Sequence, residues 1–158
     1  MRIKMLAVTA AAAAMAIAAP VFAESAGMAE KTKAGAYAEV RDDLKNAIVN
    51  RGYVVDYVGQ FNGMLERTSE AVGAAKSPYT NAEFMQFCAA KLTHEAIAAT
   101  PVNIVNCPYT VFAYELAAKP GEIHVGYRRP VSGGGDASDK AVANIDKLLA
   151  EIVAEVAK

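Results

Sequence analysis

The chain has 158 residues, a formal net charge of −1, two cysteines, no tryptophan and a hydrophobic fraction of 54%. The length fits one domain, the near-zero charge lacks the basic footprint that nucleic-acid binding leaves, and two cysteines are too few for a disulfide-dense scaffold. The apolar content is high for a soluble domain, so its placement along the chain decides what it means.

The excess lies at the N-terminus. Arg2 and Lys4 make a short basic region, and Leu6 to Ala19 follow without a charge, mostly as alanine. Pro20 breaks the run, and Val21-Phe22-Ala23 presents small residues at Val21 and Ala23. This is the layout of a secretory signal peptide over residues 1–23, cleaved after Ala23. The uncharged run, about 14 residues, falls short of the roughly 20 that span a bilayer. No cysteine stands near the cleavage point to carry a lipid, and no twin-arginine pair is present, so the general secretion route is expected. Removal of Arg2 and Lys4 leaves 14 basic and 17 acidic residues, a formal charge of −3. The apolar fraction falls to about one half, the soluble norm. The expected location is the bacterial periplasm, where disulfides persist. Neither a nucleic acid nor, after cleavage, a membrane is an expected partner.

Residues 24–36 (ESAGMAEKTKAGA) are small, polar and mixed in charge, and read as a flexible leader. From Tyr37 the apolar positions Val40, Leu44, Ile48 and Val49 recur at helical spacing, and Gly52 suits the left-handed position past a helix end. Tyr53 to Gln60 is β-branched and aromatic, a strand. Asn62 is the cap candidate of a second helix through Thr68, ending near Gly73, and Ala74 to Thr80 read as a loop. A third helix is expected from about Asn81 to Ala99, with Phe84, Phe87, Cys88, Lys91, Leu92, Glu95 and Ala96 near one stripe. Thr100-Pro101 ends it, and Val102 to Pro108 form an extended connector. Tyr109 to Leu116 and Glu122 to Arg128 are strands joined by a Pro120-Gly121 turn. Gly133 to Gly135 make a flexible break. Asp136 or Ser138 caps a last helix with Val142, Ile145, Leu148, Leu149, Ile152, Val153 and Val156 on its apolar face.

The resulting order is α-β-α-α-β-β-α. It predicts an α+β fold for residues 37–158, with a small antiparallel-containing sheet of about three to four strands packed against helices. A bare sheet edge would suit pairing with a second copy, a homodimer.

The cysteines are the sharpest chemical feature. Cys88 and Cys107 are 19 residues apart, and in an oxidising compartment an even pair most simply forms one disulfide. Two buried free thiols, or a redox or metal role, are the alternatives. A bridge requires a Cα separation below about 7 Å. No pair among Cys88, Cys107, His94 and His124 has zinc or haem-attachment spacing, and no metal or cofactor is expected. The last strand places Glu122, His124 and Arg128 on one face. His124 and Arg128, with Cys107, are therefore the candidates for binding an anionic or carboxylate ligand. The alternative is a solvated face with Arg128 paired to Glu115 or Glu122. The sequence holds no Gly-x-Ser-x-Gly, Ser-x-x-Lys or His-Glu-x-x-His, so no catalytic residue is assigned.

From Asp43 to the C-terminus the order of motifs resembles that of the domain-of-unknown-function family 302. The matching pieces are Asn50-Arg51-Gly52-Tyr53-Val54-Val55, Phe87-Cys88, the stretch Asn106-Cys107-Pro108 running into Tyr109 to Glu115, and Arg128-Arg129-Pro130. Where many relatives read Pro-Cys, this chain reads Cys107-Pro108. The resemblance implies a small α+β fold that tends to dimerise and no established activity. It also implies an association with sulfur oxidation or respiratory metabolism for some members. Three functional expectations follow. The first is an exported binding or accessory domain acting on a small ligand or a periplasmic protein. The second is a thiol-dependent redox or sulfur-handling protein using Cys107 and Cys88. The third is a metal or haem binder using His124 or His94.

Overall fold

The computed structural model describes residues 27–158, so the expected signal peptide lies outside the described residues. In chain order the elements are β1 (Met28–Ala34), α1 (Tyr37–Val49), β2 (Val55–Gln60), α2 (Phe61–Thr68), β3 (Tyr79–Phe87), α3 (Ala90–Ala99), a 3-10 helix (Pro101–Asn106), β4 (Tyr109–Leu116), β5 (Glu122–Arg128) and α4 (Asp136–Val156). The fold is α+β. The strands form one sheet in the order β1-β5-β4-β3-β2, and every neighbouring pair is antiparallel.

One face of the sheet carries α1 and α4. α1 buries Val40, Leu44, Ala47 and Ile48, and α4 buries Ile145, Leu149, Ile152 and Val153 along one stripe. These meet Met85 and Phe87 of β3, Val111 and Ala113 of β4, and Ile123 and Val125 of β5. The two-residue period of each strand sends these side chains down and their neighbours up. Gly52 (φ +81°), beyond α1, and Gly121 (φ +81°), in the β4–β5 turn, supply the left-handed backbone expected there. Among the described residues no helix is long and apolar enough to cross a membrane.

The sheet has five strands, against the three to four expected. One addition replaces part of the flexible leader, since Met28–Ala34 pairs along its whole length with β5. MAEKTKA has no run of hydrophobic residues: Ala29 packs against the core and Met28 lies on the opposite face. The strand exists because β5 would otherwise leave a row of buried-edge backbone groups unpaired. The other addition lies in the expected third helix, whose first half is β3 and whose second half is α3. In β3, Met85 and Phe87 face the core while Ala82, Phe84 and Gln86 face away, so a period of two prevails over the helical stripe. Lys91 and Glu95, the charged members of that stripe, pair with each other on the surface of α3.

The connector after α3 is a 3-10 helix rather than an extended chain. Its buried Asn103 and Asn106 pin the expected flexible break. Asn103 Oδ1 accepts from Gly133 N (2.9 Å) and Ser138 Oγ (3.0 Å), while its Nδ2 donates to Ala96 O (2.8 Å). Asn106 Oδ1 accepts from Val131 N at 2.7 Å, and its Nδ2 donates to Val131 O at 2.9 Å.

Candidate binding site on the open face of the sheet

The sequence-predicted residues do not converge. Cys88 and Cys107 are joined in a disulfide with Cα atoms 5.7 Å apart, and among the described residues no cysteine is free. The bridge ties the end of β3 to the start of β4 around α3 and the 3-10 helix, and Cys107 packs against the core. His94 is exposed on α3, on the helical side. His124 stands on the opposite face of the sheet, and Arg128 lies on that same face about 13 Å further along β5. Arg128 is exposed, and its Nη2 donates to Pro108 O at 3.5 Å. Glu122 pairs with Lys119 (2.9 Å), and Glu115 accepts from Asn81 Nδ2 and Gly121 N (2.8 Å each). The ion pair expected for Arg128 with Glu115 or Glu122 gives way to these contacts.

His124 belongs to a polar cluster that crosses three strands. Its ring stacks on Tyr114 of β4, with centroids 4.4 Å apart and planes 5° off parallel. Its Nδ1 lies 3.2 Å from Glu30 Oε1, and Tyr114 Oη donates to Glu30 Oε2 at 3.1 Å. His124 Nε2 stands 3.4 Å from Glu122 Oε1 without the alignment of a hydrogen bond. Burial pushes the Tyr114 hydroxyl well above its usual range, and the charges of Glu30 and Glu122 act in the same direction. Among the described residues no three His, Cys, Asp or Glu side chains form a metal-binding group. The disulfide further removes both cysteines as metal ligands.

Beside this cluster lies a groove of about 400 Å³. Its origin is a row across four strands: Gly59 of β2 pairs with Phe84 of β3, Phe84 with Phe112 of β4, and Phe112 with Gly126 of β5. Each ring lies over the glycine beside it, so that a Cβ on Gly59 would overlap the Phe84 ring and one on Gly126 the Phe112 ring. The two phenyl groups therefore splay apart, and the seam between β3 and β4 is left open above them. In the next row small Ala82 opposes Tyr114, which leans onto His124 and widens the same space. Tyr79 closes one end, edge-on to Tyr114 at 5.5 Å and 74°, and Phe61 of α2 stands edge-on to Tyr79 at 6.1 Å and 71°. The volume falls within the usual range for small-ligand sites, and the wall is mostly aromatic with polar groups at one side.

The sequence reading missed this site. Its signal was present in β4, where Val111-Phe112-Ala113-Tyr114 is apolar or aromatic at both alternating positions. One face of such a strand fills the core, and the other presents aromatic rings elsewhere.

No model of a known protein family matches the sequence, and no curated protein sequence matches it. Among solved structures, the chain is similar to an uncharacterized conserved protein DUF302 from Bacillus stearothermophilus. The identity is 15%, the TM-score 0.69, and the match covers 84% of this chain and 99% of that one. At that identity the likeness establishes architecture alone, and the chain has the fold of a protein of the domain-of-unknown-function family 302.

Proposed function

We propose that this chain is an exported, non-enzymatic binding domain that holds a small, largely apolar molecule in the groove on the open sheet face. The observation that carries the reading is the Gly59–Phe84–Phe112–Gly126 row. Two strand glycines weaken a sheet by entropy and lost packing. Here they let two rings lie down and open a concavity over neighbouring strands, where ordinary side chains would fill it. The basic-then-alanine N-terminus and the bridged cysteine pair support an oxidising compartment, which predicts a mature protein starting at Glu24 on N-terminal sequencing. A mature chain that retains residues 1–23 would remove that part of the proposal. The thiol-dependent reading has less support, because a cysteine bonded to its partner is not a thiolate nucleophile.

The test of the groove is a fluorescence titration with Nile red, an uncharged apolar dye. The wild-type protein is expected to enhance its emission. Ala82→Phe, which fills the space opposite Tyr114, should cut the enhancement at least fivefold with the circular-dichroism spectrum unchanged. Equal enhancement by both proteins would place the dye elsewhere and end the reading.

A further inference from the structure

The aromatic groove has a charge bias that narrows its ligand. Among the described residues that line it none is Lys or Arg, and the carboxylate of Glu83 points away to the helical side, where it pairs with Arg41 of α1 at 3.3 Å. At the hydroxyl end of Tyr114 sits Glu30, whose side chain is only 10% exposed and which accepts from the tyrosine. A phenol that donates to a carboxylate shifts electron density into its ring, which strengthens the negative ring face. Glu122, behind the His124 ring, is already paired with Lys119 at 2.9 Å, which leaves Glu30 as the carboxylate that biases the groove.

The ring orientations matter as much as the charge. Tyr114 and Phe112 are 24° from parallel, Tyr79 stands at 74° to Tyr114, and Phe61 at 71° to Tyr79. His124 covers one face of Tyr114, and rings set at such different angles make the walls of a box around the remaining space; cations without N–H donors are held in such boxes by ring quadrupoles. An anion would meet the ring faces and the carboxylates with the wrong sign. A neutral apolar molecule would gain the burial but nothing from the carboxylates.

Resting on the groove assigned above, we infer that its ligand is a small soluble organic cation of the quaternary ammonium type. The bulky alkylated head would seat among Tyr79, Phe112 and Tyr114, with Glu30 supplying the counter-charge across the Tyr114 ring. No proton transfer or bond change is involved.

Choline and its neutral carbon analogue 3,3-dimethylbutan-1-ol have the same shape and differ in charge, so they isolate the inference from the groove itself. Calorimetric or NMR titration of the mature protein should show choline binding at least tenfold more tightly. Glu30→Gln keeps the shape and should weaken choline at least fivefold while leaving the neutral analogue within twofold. Tyr79→Leu keeps an apolar wall without the ring quadrupole, and should likewise weaken choline more than the analogue. Equal affinity for the two probes would overturn the cation inference and leave the groove standing. Binding of neither would overturn both, and tighter binding of benzoate than of choline would overturn the inference by sign.

Discussion

At the scale of single residues, the two glycines under the phenyl rings separate two effects. A methyl group on Gly59 would meet the Phe84 ring, while one on Gly126 would meet the Phe112 ring and the backbone carbonyl of Ala29. A ring can swing away, whereas β1 cannot move without losing its pairing to β5. Gly59→Ala should therefore cost about 1 kcal/mol and push Phe84 into the groove. Gly126→Ala should cost about 3 kcal/mol, the upper part of the overpacking range. Urea denaturation of the two variants checks the order, and equal losses would contradict it. The tyrosines give the pH dependence. Burial raises the hydroxyls of Tyr37, Tyr109 and Tyr114 above their usual value of 10.0. For a group whose neutral form is favoured by folding, the stabilisation is complete below the unfolded pKa and is lost as pH rises through the folded one. Absorbance titration should thus show part of the seven-tyrosine signal missing at pH values slightly above 10 and appearing only as the protein unfolds. All tyrosines ionising together near 10 would refute this.

At the scale of elements, the disulfide holds β3, α3, the 3-10 helix and β4 as one unit. Its closed loop, with a separation of 19 residues, stabilises by about 3 kcal/mol on the loop-entropy argument. Reduction, or Cys88→Ala with Cys107→Ala, should lower thermal stability accordingly while leaving Nile red binding unchanged at 25 °C, since neither sulfur borders the groove. Loss of dye binding in a folded double variant would instead implicate the bridge in the site. Elements also show where local sequence reading stops. α1, α4, β4 and β5 were legible because their periodicity faces one dense core. β3 was not, because Phe84, Phe87 and Cys88 fall at the three- and four-residue spacing of a helix, although the strand sends Phe84 and Phe87 to opposite faces. Its partners β2 and β4 decide the matter by pairing with both of its edges. β1 was illegible for a different reason. Its charged residues suit an edge strand, and only the presence of β5, some 90 residues later, makes that edge available.

At the scale of the whole molecule, one helical layer covers one face of a five-stranded sheet and leaves the other face partly bare. The α+β class follows from the sequence, because only one connection between its expected strands is long enough for a crossover, too few for a doubly wound sheet. The position of the candidate site does not follow. His124 was placed on the correct strand face by alternation, yet its partners Glu30 and Tyr114 come from other strands. The groove depends on cross-strand register, with glycine opposite phenylalanine on both flanks, and register is a long-range property that no local pattern encodes. The central claim is that the bare face is where a small molecule sits. Aromatic 13C-resolved NMR during titration with benzyl alcohol, a small uncharged probe, tests it most directly. The account predicts that the largest shifts fall on Tyr79, Phe84, Phe112 and Tyr114, with His94 and the Cys88–Cys107 region unmoved. Shifts confined to the helical layer, or to Arg128 and Pro130 at the far end of β5, would contradict it.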